Sequence, residues 1–166
     1  MNLKDIPSNS EVFIDANIFI YHFTGASEEC SHFLDQCESG KYRAITCVTI
    51  LLEVLHRLMM VEIVQKRLLP PPNLLRKLEK KPTLICQLSE YYISTLAIFD
   101  MGVIVHPLYP EIIKSSQIIR SRHGLMVNDS LIAAFMQEKE IKYLASNDET
   151  FSRIDWIQWY KPTDVA

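Results

Sequence analysis

Short apolar runs that alternate with helical patterns restrict the fold of this chain more than any other feature. The runs lie at 12–14 (VFI), 44–48 (AITCV), 101–106 (MGVIVH) and 142–146 (KYLAS). Strands that are apolar along nearly their whole length are covered on both faces, as in parallel sheets. We therefore expect an α/β protein, an α/β/α sandwich around a mainly parallel sheet of four to five strands.

Helical patterns fill the stretches between the apolar runs. They cover 16–23, 27–39, 49–69, 111–123 and a stretch that opens at Asn128 or Asp129. Three prolines from Pro70 should end the third helix, and Gly124 should end the fourth. Two further helical patterns divide the stretch 73–99. We expect one domain over residues 1–166 with a helical insertion around 70–99.

Composition excludes several classes of protein. The formal net charge of −3 excludes attraction of the whole molecule to nucleic acid, so any such contact must rest on local basic patches or bound metal. No apolar stretch approaches the ~18 residues of a membrane span, and the first ten residues do not resemble a signal peptide. The four cysteines form no CxxC pair. We expect a cytoplasmic protein without a membrane segment or zinc site.

Four carboxylates follow or precede the predicted strands at comparable places. Asp15 comes directly after the first strand and Asp148 just after the fourth. Glu53 lies early in the helix after the second strand, and Asp129 lies at the start of the helix that leads into the fourth. Since ligands of open α/β sheets bind beyond the carboxyl ends of the strands, these side chains are predicted to meet there.

Each carboxylate also has a purely structural interpretation. Asp15 and Asp129 could stabilise the amino ends of their helices, and Asp148 could belong to a turn. Glu53 could form an exposed pair with Arg57, four residues later on the same helix. An isolated buried charge is costly, so Asp15 is the hardest of the four to explain without a ligand.

Four motifs in this order carry a resemblance to the PIN-domain nucleases, which include the VapC-type toxins of toxin–antitoxin pairs. They are FIDANIFI, TCVTILLEVLHRL, MVNDSLIAAFM and YLASNDETF. The resemblance implies a PIN-like fold and a catalytic, metal-binding set made of Asp15, Glu53, Asp129 and Asp148. Asp15, Asp129 and Asp148 would bind Mg²⁺ or Mn²⁺ directly, and Glu53 would act through water. Asn17 and Ser146 would hydrogen-bond these carboxylates.

The resemblance also implies an activity and partners. We expect endonucleolytic cleavage of RNA by a two-metal mechanism, leaving a 3′-hydroxyl and a 5′-phosphate. A homodimer and a small antitoxin that blocks the acidic site are further expectations. Basic side chains at Arg57, Arg120 and Arg122 are predicted to contact substrate phosphates. Glu149, directly after Asp148, departs from the family pattern and adds a candidate ligand.

Three alternatives remain open from the sequence. The chain could be a housekeeping RNA-processing nuclease of the same family, or a PIN-like binding module that no longer cleaves. A phosphatase of the haloacid-dehalogenase type also places an aspartate after its first strand. The motif of that family is DxDxT, however, and this chain has Asn17 where the second aspartate is needed.

Overall fold

The computed structural model describes residues 1–165, and a five-stranded sheet lies at its centre. The strands are β1 (Glu11–Ile14), β2 (Arg43–Cys47), β3 (Ile104–His106), β4 (Tyr143–Ala145) and β5 (Gln158–Tyr160). Their order is β3-β2-β1-β4-β5, and every neighbouring pair is parallel. The predicted α/β class and parallel sheet are confirmed.

Helices occupy the connections between the strands. They are α1 (Ala16–Thr24), α2 (Glu28–Glu38), α3 (Val48–Gln65), α4 (Leu74–Glu79), α5 (Pro82–Ile85), α6 (Glu90–Ala97), α7 (Pro110–His123) and α8 (Val127–Glu138). Short 3₁₀ turns lie at Leu3–Asp5, Ile98–Asp100 and Glu149–Arg153. Within residues 1–165, no helix combines the length and apolar character that a membrane crossing requires.

The direction of the crossovers explains why helices cover both faces of the sheet. The connections from β1 to β2 and from β2 to β3 step one way along the sheet, whereas the connection from β3 to β4 steps back. Right-handed crossovers then place α7 and α8 on the face opposite to α1, α2, α3 and α6. On the α8 face, the rings of Phe13 and Phe135 lie 5.6 Å apart.

Several helix ends differ from the prediction by one residue, and the end of α3 differs by four. The third helix was expected over 49–69, but α3 ends at Gln65 because the chain turns there. Arg67 adopts a φ of 54°, and the N–H groups of Arg67 and Leu68 bond the carbonyls of Val64 and Ile63 at 3.0 Å. This pair of bonds is a Schellman motif. Helix α8 begins at Val127, one residue before the earlier of the two predicted openings, Asn128 and Asp129.

A second, smaller apolar cluster lies outside the main core. Ile63 on α3 packs with Leu69, Leu78 and Leu88. The segment 66–89, which contains α4 and α5, is thereby packed against the second half of α3. This segment falls partly within the stretch where a helical insertion was expected.

Candidate active site at the carboxyl end of the sheet

Asp15 directly follows β1, the central strand, which is short and buried on both faces. In the β1–β4 register Ile14 pairs with Ala145, so Asp15 and Ser146 leave the sheet side by side. The N–H of Asp15 donates to the carbonyl of Ala145 at 3.0 Å. Strand order changes direction between β1 and β4, which is where ligands of open α/β sheets bind.

The Asp15 side chain is only 7% exposed and is held by three donors. Its Oδ1 accepts from the N–H of Ala16 at 2.7 Å. Its Oδ2 accepts from Ser146 Oγ and Asn17 Nδ2, both at 2.6 Å. Because a carboxylate oxygen has two lone pairs, Oδ2 is fully engaged and Oδ1 keeps one lone pair for a further ligand.

Burial raises the pKa of Asp15 to about 6, although the hydrogen bonds from Ser146 and Ala16 act to lower it. The negative charges of Glu53 and Asp129 raise the pKa further. Burial also raises the pKa of Asp129, and the charges of Asp148 and Glu53 act in the same direction. The four carboxylates therefore repel one another across a shared space.

That space is a cavity of about 500 Å³ between α1, α3, α8 and the turn after β4. Its polar lining consists of Asp15, Asn17, Tyr21, Glu53, Arg57, Asn128, Asp129, Asn147, Asp148 and Glu149. Glu53 reaches it from the second turn of α3, and Asp129 from the first turn of α8. The structure thus brings all four predicted carboxylates to one cavity.

The donor set of the cavity fits a hard divalent cation, since its charged ligands are all carboxylates. The carboxylates lie further apart than the ligands of a bound cation would. Within residues 1–165, no three Asp, Glu, His or Cys side chains stand close enough together to hold a metal ion as they are placed. A cation would have to draw the carboxylates together, which is consistent with side chains that repel one another.

The remaining predicted residues fall into two groups. Asn17 and Arg57 line the cavity, and Ser146 lies behind Asp15. Among the described residues that line the cavity, neither Arg120 nor Arg122 is found. The Arg120 guanidinium instead donates to side chains of α7 and α8, including Ser130 Oγ at 3.1 Å.

The structural interpretations hold alongside the shared cavity. Asp15 is the N-cap residue of α1. Asp148 accepts from the N–H of Thr150 at 2.8 Å and caps the turn that follows. Glu53 and Arg57 are 3.9 Å apart at their nearest charged atoms. Local capping and convergence at one cavity are therefore compatible.

Sequence reasoning missed a polar network beside the acids. The N–H of Asn147 donates to Asn17 Oδ1 at 2.9 Å, and Asn147 Nδ2 donates to the Tyr21 hydroxyl at 3.1 Å. A signal was available, because an asparagine directly precedes both Asp129 and Asp148. Glu149, the additional candidate ligand, lines the cavity and pairs with Lys161 at 2.9 Å.

The chain is similar to known proteins in sequence and in fold. The sequence model of the PIN domain matches residues 12–157. No curated protein sequence matches the chain significantly.

Among solved structures, the chain is similar to a chain of a toxin–antitoxin complex from Klebsiella pneumoniae, with a TM-score of 0.57, 18% identity and coverage of 89% of this chain and 95% of that one. It is similar to a chain of VapBC2 from Rickettsia felis bound to a promoter DNA fragment, with a TM-score of 0.57, 13% identity and coverage of 90% of this chain and 97% of that one. It is also similar to VapC20 from Mycobacterium tuberculosis, a sarcin-ricin loop cleaving toxin, with a TM-score of 0.59, 14% identity and coverage of 89% of this chain and 98% of that one. At these identities the likeness shows a shared fold.

Proposed function

Because the chain belongs to the PIN domain family, we propose that its carboxylate cavity hydrolyses phosphodiester bonds of RNA with bound Mg²⁺ or Mn²⁺. The observation that carries the proposal is the convergence of Asp15, Glu53, Asp129 and Asp148 on one cavity at the carboxyl end of the sheet. A site for a neutral ligand has no need of acids that repel one another. A site that binds a cation and then an anionic phosphodiester does, because the cation removes the repulsion and attracts the phosphate.

Asp15, Asp129 and Asp148 are the residues that would hold the cation, with Glu53 acting through water. A bound divalent cation supplies an activated water and neutralises charge on the phosphate. Asp15 is suited to this role because Ser146 and Asn17 fix its Oδ2 while Oδ1 retains a free lone pair. These two hydrogen bonds prevent rotation of the carboxylate and so orient the free lone pair.

Arg57 is the basic side chain of the cavity that is placed to contact a substrate phosphate. Its guanidinium is exposed and only loosely paired with Glu53, at 3.9 Å. Such an arginine is free to exchange its carboxylate partner for a phosphate, which it can bind through two hydrogen bonds. Arg120 and Arg122 would meet only an RNA that extends beyond the cavity.

We further infer that the chain is the toxin of a toxin–antitoxin pair, acts in the cytoplasm and forms a homodimer. An exposed apolar surface supports association with another chain. Val48 and Leu52 of α3, Tyr92 and Leu96 of α6, and Phe99 line a hollow of about 400 Å³. Each of these five side chains is more than two-fifths exposed. Apolar patches of this kind usually mark sites of protein association.

RNA cleavage by the purified protein tests the proposed activity. Labelled RNA should be cut with Mg²⁺ or Mn²⁺ and left intact with EDTA, and the products should carry 5′-phosphates. Asp129→Asn and Asp148→Asn should abolish cleavage, whereas Asp155→Asn, an exposed change outside the cavity, should not. Intact RNA at every metal concentration would favour a binding module, and full activity in chelator would refute the metal mechanism.

Growth experiments separate the toxin from a housekeeping nuclease. Expression of the wild-type chain should slow growth, and co-expression of a small protein from an adjacent reading frame should restore it. An active nuclease that is harmless at high expression would favour the housekeeping role.

A further inference from the structure

A strongly basic segment lies outside the carboxylate cavity. Between residues 66 and 81 the chain carries six basic side chains and one carboxylate, although its formal net charge is −3. We call residues 66–81 the basic segment. Arg76, Lys80 and Lys81 are exposed, and within residues 1–165 none of them forms an ion pair. Their charges are therefore available to an anionic ligand.

The pattern of α4 explains this availability. Leu74 and Leu78 share one face of the helix and pack into the second apolar cluster. Arg76 lies on the opposite face, and Lys80, the C-cap residue of the helix, follows it four positions later on the same side. Packing of the leucines against α3 therefore directs these two charges toward solvent.

The basic segment is also held at a defined place. The buried carboxylate of Glu62 on α3 contacts Lys66 at 2.6 Å, at the start of the segment. The same carboxylate accepts from the N–H groups of Ser89 and Tyr91 at 3.0 and 2.9 Å, where the chain enters α6. Glu62 thus joins both ends of 66–89 to α3, and the basic side chains lie on a packed unit.

Helix α3 runs from the cavity to the start of the basic segment. Lys66, the residue that follows α3, lies thirteen positions after Glu53, which is about 20 Å along the helix. Phe23 and Thr24 of α1 and Val61 and Gln65 of α3 line a second, smaller hollow beyond the cavity. Two carboxylates, Glu62 and Glu90, also line this hollow, and Lys66 pairs with both, at 2.6 and 3.2 Å. The second hollow ends where the basic segment begins.

We propose that the basic segment binds the phosphate backbone of the RNA on one side of the bond that is cleaved. The proposal rests on the function proposed above. The carboxylate cavity repels RNA, whereas the basic segment offers an attractive surface at a distance of several nucleotides. Backbone contacts of this kind carry no sequence information, so the segment would strengthen binding and leave the choice of cleavage site to the cavity.

Charge-neutralising variants test the proposal. We would compare wild type with Arg76→Gln/Lys80→Gln/Lys81→Gln, using an unstructured RNA of about 16 nucleotides, Mn²⁺ and several salt concentrations. The control is Lys4→Gln/Lys114→Gln/Lys142→Gln, which removes the same charge from exposed positions elsewhere. A third variant, Arg76→Lys/Lys80→Arg/Lys81→Arg, keeps the charge. Substitution at these exposed sites should leave stability unchanged.

The neutralised segment should raise KM on the order of tenfold at unchanged kcat, and it should weaken the salt dependence of kcat/KM by about 2 in the log–log slope, or about 0.7 per lost contact. The control and the charge-keeping variant should behave as wild type. If wild type is active but the two neutralised variants have the same KM and the same salt dependence, the basic segment does not bind RNA and the proposed function still stands. The same conclusion follows if the neutralised segment abolishes inhibition by an antitoxin without any change in KM. Absence of RNA cleavage by wild type would refute the proposed function itself.

Discussion

Replacement of Asp15 by asparagine should stabilise the metal-free protein at neutral pH. The folded structure raises the pKa of Asp15 from 3.8 to about 6, mainly through burial. Between these two values the folded protein holds a proton that the unfolded chain has released, so stability falls as the pH rises through this interval. Above about pH 6 the carboxylate is charged in both states, and the full destabilisation is present.

The expected magnitude follows from the pKa shift and from the hydrogen bonds that asparagine loses. A shift of about two units corresponds to about 3 kcal/mol of destabilisation at pH 7. Asparagine removes the charge but turns an NH₂ group toward one of the donors, either the N–H of Ala16 or the side chain of Asn17. That mismatch costs about 1–2 kcal/mol, which leaves a net gain of about 1–2 kcal/mol.

Urea unfolding of wild type, Asp15→Asn and the control Asp155→Asn measures this difference. With EDTA at pH 7, Asp15→Asn should be the most stable of the three, and its advantage should shrink as the pH falls toward 4. Added Mn²⁺ should stabilise wild type and the control but not Asp15→Asn. The reasoning fails if Asp15→Asn is destabilised at pH 7, or if Mn²⁺ stabilises it as much as wild type.

Three further predictions concern Glu62, Arg57 and the affinity for metal. Burial alone would raise the pKa of Glu62, but hydrogen bonds from Lys66 and from backbone N–H groups lower it to about 2. Glu62→Gln should therefore reduce the free energy of unfolding at pH 7 by about 2–3 kcal/mol, and wild type should lose this stability as the pH falls from about 4.5 to 2 in urea titrations. Arg57→Gln should raise KM for RNA several-fold with little change in kcat, and Arg57→Lys should recover part of the loss in the same assay. Calorimetric Mn²⁺ affinity should weaken about tenfold for each pH unit below about 6, because Asp15 must lose its proton to bind, and a flat profile between pH 5 and 7 would contradict this.

Much of the cavity could be predicted because its acids lie at strand and helix ends. Asp15 follows a run of three buried residues, and Asp148 lies three residues after the end of β4. In a parallel sheet the carboxyl ends of all strands share one edge, so the order of the elements along the chain is enough to bring these residues together.

Other features depend on contacts that no local pattern encodes. Arg120 was expected to contact phosphate, but its guanidinium is bound by hydroxyl and amide groups of its own and the next helix. The early end of α3 depends on a left-handed arginine at 67, where glycine is the usual signal. The joining of 66–89 to α3 depends on Glu62, whose backbone partners lie 27 and 29 residues away.

Anomalous diffraction from crystals grown with Mn²⁺ tests most directly the claim that the carboxylate cavity is a metal site. We predict one or two Mn²⁺ peaks inside the cavity, with oxygens of Asp15, Asp129 and Asp148 at about 2.0–2.2 Å and the carboxylates closer together than in the metal-free protein. Full Mn²⁺-dependent cleavage of RNA in solution, together with peaks that lie only outside this cavity at saturating Mn²⁺, would contradict the claim.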